Sequence, residues 1–117
     1  MITLLDYGAG NVRSVINAIE RLGETVAVVH SGADIDRAER LVFPGVVNFG
    51  ALMRTLRERR LRDPLIRYLH SGKPFFGICV ALQALFAASE EAPEEKGLGI
   101  LPGRVQRFRC DLAVPHI

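Results

Sequence analysis

Tryptophan is absent from the 117-residue chain, and cysteine occurs only as Cys79 and Cys110. Two cysteines cannot make the disulfide framework of a small secreted domain, so the fold must rest on an apolar core. No apolar run approaches the roughly 20 residues that cross a bilayer. The opening residues, Met1 to Asp6, lack the basic stretch and cleavage site of a secretory leader. A reduced, cytoplasmic setting is therefore expected. Charge is nearly balanced, and a net +2 argues for neither nucleic acid nor an anionic membrane surface. The histidines, His30, His70 and His116, fall in no metal-ligand spacing. Internal repeats, low-complexity tracts and flexible linkers are also missing.

What remains is an ordinary globular composition, 49% apolar and 24% charged, long enough for one domain with its own core. Strand and helix patterns alternate. Ile2 to Leu5 reads as a strand. Asn11 can cap a helix carrying Val12, Val15, Ile16, Ile19 and Leu22 at helical spacing, with Gly23 as its stop. Thr25 to Val29 is a second strand, Ala33 to Glu39 a short helical crossover, and Leu41 to Phe43 a third strand broken by Pro44-Gly45. A helix starts near Asn48, and another at Asp63-Pro64, a cap followed by proline. Phe75 to Ile78 reads as a buried strand, and Leu82, Leu85 and Phe86 continue as a helix. Glu90 to Lys96 is a charged loop, followed by a turn and a strand. Such alternation predicts right-handed crossovers and a mostly parallel sheet covered on both faces, with chemistry at the carboxyl ends of the strands.

Cys79 stands at the strand-to-helix junction, the position of a nucleophile elbow. A helix N-terminus beyond it favours a thiolate; the alternative is a small core residue. Pro44-Gly45-Val46-Val47 ends a neighbouring strand, where backbone N–H groups can receive an oxyanion. Asp6-Tyr7-Gly8-Ala9-Gly10-Asn11 is Gly-x-Gly without a third glycine, since Arg13 stands there, so a dinucleotide fingerprint fails. The arginines 54, 57, 59, 60 and 62 are interrupted by acids and have no interleaved aromatics, which suits a solvated helix face better than an RNA site. His30 ends the second strand, and a small elbow-cysteine hydrolase or redox protein would need it as a base.

In order, Asp6-Tyr7-Gly8, Gly10-Asn11, Arg13-Ser14, Pro44-Gly45-Val46, Phe49-Gly50, Gly72-Lys73-Pro74-Phe75, Gly77-Ile78-Cys79, Gln83, Leu85-Phe86, Ser89-Glu90-Glu91, Lys96-Gly97-Leu98-Gly99, Pro102-Gly103 and Val114-Pro115-His116 form a set. With it the chain resembles the glutamine amidotransferase subunits of imidazole glycerol phosphate synthase, class I amidotransferases of histidine biosynthesis, along essentially its whole length. The resemblance implies a three-layer α/β/α fold of flavodoxin-like type. It implies a Cys79 glutamyl thioester and ammonia passed to a (β/α)₈ cyclase in a heterodimer, with no cofactor, metal, nucleic acid or membrane. Gly45, Val46, Val47 and Val80 match the oxyanion hole, Gln83 and Glu91 the glutamine site, and Asn11, Pro115 and His116 the face toward the cyclase.

Three departures stand against that pattern. Position 81 is alanine where the family elbow has glycine, and position 47 is valine where its oxyanion strand has glycine. The family also draws a histidine and a glutamate from beyond the position of Ile117. The expectation is residues 1–117 as one amidotransferase domain, incomplete at its C-terminus, retaining the nucleophile but nearly inactive alone. Missing strands would leave an open sheet edge and an exposed apolar face. The alternative is a non-catalytic interaction module that docks on the cyclase.

Overall fold

The computed structural model describes residues 1–8, 12–45 and 47–106. Its elements are β1 (Ile2–Leu4), α1 (Val12–Arg21), β2 (Val26–Val28), α2 (Gly32–Arg37), β3 (Leu41–Gly45), α3 (Phe49–Glu58), α4 (Arg62–His70), β4 (Phe75–Cys79), α5 (Val80–Gln83), β5 (Ala88–Ser89) and β6 (Arg104–Val105). Four strands make a parallel sheet in the order β2-β1-β3-β4, and β5 and β6 pair separately, also in parallel. Because β2 and β3 flank β1, the first crossover runs one way and the next two the other. Right-handed crossovers then place α1 on one face and α2, α3 and α4 on the opposite face. The packing of α4 against both α2 and α3 agrees with this, and three layers result.

The main core lies between the sheet and α2 to α4. Phe43 and Phe49 are fully buried there with Leu5, Leu52, Met53 and Leu65. Phe43 makes edge-to-face contacts with Tyr7 at 5.7 Å and Phe75 at 6.4 Å between ring centroids. On the other face, Leu4, Ile19 and Pro44 are buried.

Several features differ from the sequence reading. The third strand does not break at Pro44-Gly45 but continues to Gly45. β1 pairs with β3 only to Val42, so Pro44 faces β4 alone, and its missing N–H costs the sheet little. The fourth helix starts at Arg62, two residues before the proline. Leu65 N–H already bonds Leu61 C=O, and Pro64 occupies the first turn, where N–H groups have no helical partner. β4 is not a buried strand: among the described residues it is the sheet edge, and Phe76 is 63% exposed. The helix after Cys79 is one turn, α5, continued by three-residue turns in which Leu85 N–H bonds Leu82 C=O and Phe86 N–H bonds Gln83 C=O. No helix of the described residues is long and apolar enough to cross a membrane.

Candidate functional site

Cys79 closes β4 and precedes α5 with φ +59° and ψ −122°, a backbone conformation that L-residues other than glycine avoid. That bend ends the strand and turns the next residues beneath the sheet, leaving the Cys79 side chain exposed and Val80 and Ala81 buried. The exposure removes the core-packing alternative. The single-turn α5 does not supply the longer dipole expected beyond the sulfur.

Gly45 sits opposite Cys79 in the β3–β4 register. A Cβ at Gly45 would stand 2.5 Å from Val80 Cγ1 and 2.8 Å from the Ala81 backbone nitrogen. Glycine at position 45 is therefore what lets the elbow descend beside β3. The same space receives the Ala81 methyl, 3.4 Å from that Cβ position and fully buried. Alanine in place of the family's glycine is thus accommodated on the core side, away from the exposed thiol. Val47 is half-buried and packs against the core. Val46, Asn11, Pro115 and His116 lie outside the described residues.

The loop after β1 is fixed beside this edge. The Asp6 carboxylate accepts from Gly8 N–H at 2.9 Å, and Arg59 Nη1 donates to the Asp6 carbonyl at 3.1 Å. The β1–β3 boundary is the switch point of the sheet, where open α/β sheets hold their ligands.

Gln83 and Glu91 come together in one open cleft of about 410 Å³, lined also by Ser89, Glu90, Val105 and Gln106. Gln83 stands one helical turn beyond Cys79. The Ser89 hydroxyl accepts from Glu91 N–H at 3.2 Å, and Glu90 N–H bonds Val105 C=O at 2.9 Å. Cys79 itself is not in this lining, so the structure groups Gln83 with Glu91 and Cys79 with Gly45 and Val80, the two groups joined by α5.

His30 follows β2, three strand spacings from β4, or about 14 Å across the sheet. His70 ends α4, before β4 begins, and so lies toward the amino edge. Neither stands beside Cys79, which overturns His30 as its base. Among the described residues no cluster of three histidine, cysteine or acidic side chains is placed to hold a metal ion.

The arginine run is more than a solvated face. Arg57 Nη1 and Nη2 donate to Glu95 at 2.9 and 3.4 Å, Arg54 stands 3.8 Å from the same carboxylate, and Arg62 Nη2 donates to the Gly97 carbonyl at 3.1 Å. Glu95 is buried. The Arg57 hydrogen bonds hold its carboxyl below the usual range, and the same pairing raises Arg57. The signal was present as acids at 94–95 opposite arginines one helical turn apart, but no sequence rule says which acid meets which arginine.

A family model for class I glutamine amidotransferase matches residues 3–109. The chain belongs to the class I glutamine amidotransferases. Over its full length it is 51% identical to "Imidazole glycerol phosphate synthase hisHF" of Schizosaccharomyces pombe, covering 22% of that protein. It is 47% identical to "Imidazole glycerol phosphate synthase subunit HisH" of Desulfitobacterium hafniense, again over its full length, covering 56% of that protein. The HisH subunit of Thermus thermophilus is 46% identical over 92% of the chain, which covers 54% of it. This amidotransferase chain thus spans about half the length of the HisH relatives it matches. A crystal structure of a glutamine amidotransferase superposes with a TM-score of 0.75 at 24% identity, over 91% of this chain and 56% of that one, in agreement with the three-layer fold.

Proposed function

We propose that this amidotransferase chain carries the nucleophile of the glutaminase subunit of an imidazole glycerol phosphate synthase, in the cytoplasm and in histidine biosynthesis. The observation that carries the proposal is the strained, exposed Cys79 set opposite Gly45, with Gln83 and Glu91 in a cleft one turn away. The relatives' names supply the reaction class.

In this reading glutamine lies along the cleft. The Glu91 carboxylate receives its α-ammonium group and Gln83 its polar backbone atoms. The Cys79 thiolate attacks the side-chain amide carbon, and the carbonyl oxygen becomes an oxyanion received by Val80 N–H and the backbone of residues 45–47. The C–N bond then breaks. The nitrogen takes up a proton from a solvent water and leaves as ammonia toward the cyclase, while the carbon keeps the sulfur as a thioester. Water adds to that carbon, the C–S bond breaks, and glutamate leaves. By the resemblance alone, Asn11, Pro115 and His116 are assigned to contact with the cyclase.

Because neither His30 nor His70 stands beside Cys79, the chain alone turns over slowly, about 10²–10⁴-fold below an enzyme with a positioned base. Ammonia release would be measured from chain, glutamine and purified cyclase together, with acid-quenched samples weighed for a glutamyl adduct on Cys79. Slow release with an adduct that Cys79→Ala abolishes is expected. Absence of any adduct refutes the nucleophile assignment, and full-rate transfer refutes the slow chain.

Among the described residues neither imidazole, His30 nor His70, stands beside Cys79, and this favours a second reading, a docking module without chemistry. That module would bind the cyclase at micromolar concentration and form no adduct.

A further inference from the structure

We propose that Glu95, clamped by Arg57 and Arg54, is a positioning residue that fixes Glu91 over the cleft; this rests on the cleft being the glutamine site. Gly50, Arg54 and Arg57 lie four and three residues apart on α3 and so form one stripe. Every member of that stripe meets the segment after β5. A Cβ at Gly50 would stand 2.9 Å from Ala92 Cβ, so glycine there lets Ala92 seat directly on the helix. Arg57 holds the Glu95 carboxylate through two hydrogen bonds, and Arg54 Nη1 stands 3.8 Å from Oε1, the oxygen that Arg57 Nη2 also reaches.

From Glu95 the restraint runs back along the chain. Glu95 N–H bonds Ala92 C=O at 3.0 Å, Ala92 N–H bonds Ser89 C=O at 3.3 Å, and the Ser89 hydroxyl holds Glu91 N–H. On the far side, Arg62 fastens Gly97, whose hydrogen lies so close to Phe86 C=O that a Cβ would meet it at 1.9 Å. The loop bearing Glu91 is therefore anchored before and after; Glu95 is its buried charged anchor, and Glu90 pairs with Arg104 at 3.9 Å nearer the surface. A buried carboxylate with paired guanidinium donors is the kind of contact whose loss is felt by everything it restrains.

Glutamine affinity would be measured as protection of Cys79 from iodoacetamide, alongside amide hydrogen exchange of Glu91, Ala92 and Glu95. In Glu95→Gln the half-protecting glutamine concentration rises about tenfold, consistent with loss of a charge-assisted pair. The three amides exchange about tenfold faster while alkylation without glutamine keeps its rate. The charge-reversed variant Arg57→Glu/Glu95→Arg, made with Arg54→Gln so that no like charge faces position 95, restores both affinity and exchange. Unchanged affinity in Glu95→Gln overturns the positioning role, even if exchange accelerates. If the unmodified chain shows no protection, the glutamine site itself is wrong, and exchange alone decides the latch: unchanged exchange removes it.

Discussion

Cys79 shows how one residue can carry a conflict between stability and chemistry. Its φ of +59° with ψ of −122° is a glycine conformation imposed on a side chain that must project from the elbow. Strain of this kind costs on the order of 1–3 kcal/mol and persists only where the surroundings enforce it. Here the register opposite Gly45 and the burial of Val80 and Ala81 enforce it. Cys79→Gly should therefore raise the unfolding free energy by about 1 kcal/mol, the relieved strain exceeding the added flexibility of the unfolded chain. It should also abolish the glutamyl adduct. Urea unfolding with mass analysis checks both; a variant less stable than the parent would show that the bend is not strained. At this scale the nucleophile was readable, because a hydrophobic run ending in Gly77-Ile78-Cys79 names a strand-to-helix turn. The buried pairing of Glu95 was not, because it joins residues 38 apart that no local pattern connects.

The short helix α2 depends on a charged cap. Asp34 accepts from His30 N–H at 2.8 Å and Ser31 N–H at 3.2 Å, and pairs with Arg37. The His30 N–H bond leads in holding its carboxyl below the usual range, and Arg37 assists. The folded-state pKa is thus depressed, so the stabilisation is complete above the unfolded-state value near 4 and is lost as pH falls through the lower folded-state value. Glu95 follows the same sign. Urea midpoints should fall between about pH 5 and about pH 2, and Asp34→Asn should flatten part of that slope. A slope identical to the parent's would remove Asp34 from the acid response. Helix α1 was legible from its period and α3 from period and cap, Asn48 accepting from Ala51 N–H as a capping residue does. The errors fell where tertiary pairing outranked a local signal. Pro44 signalled a break, yet the strand continues because only one neighbour remains there. Asp63-Pro64 signalled a start, yet the core contact of Leu61 draws the helix two residues earlier.

For the whole molecule, what matters is an imbalance between the two sheet faces. One is sealed by α2, α3 and α4. On the other, α1 packs against β2. The residues of β3 and β4 that point to this second face are Val42, Pro44, Phe76 and Ile78, paired in register. Phe76 is 63% exposed, with Val42 and Ile78 half-buried around it. Beside this patch runs the β4 edge, unpaired on its outer side among the described residues. A flat apolar strand with free N–H and C=O groups is the template on which chains associate edge to edge, and a lysine on such a strand is the usual guard against it. The chain should therefore self-associate as its concentration rises, with Phe76 at the contact. Phe76→Lys leaves the core untouched, so its unfolding free energy should stay within about 0.5 kcal/mol of the parent. Sedimentation velocity across a concentration series separates the outcomes. The parent should shift to faster species while Phe76→Lys stays monomeric. A parent that remains monomeric throughout would mean that the apolar face and the β4 edge are protected, and a variant that associates like the parent would place the contact elsewhere.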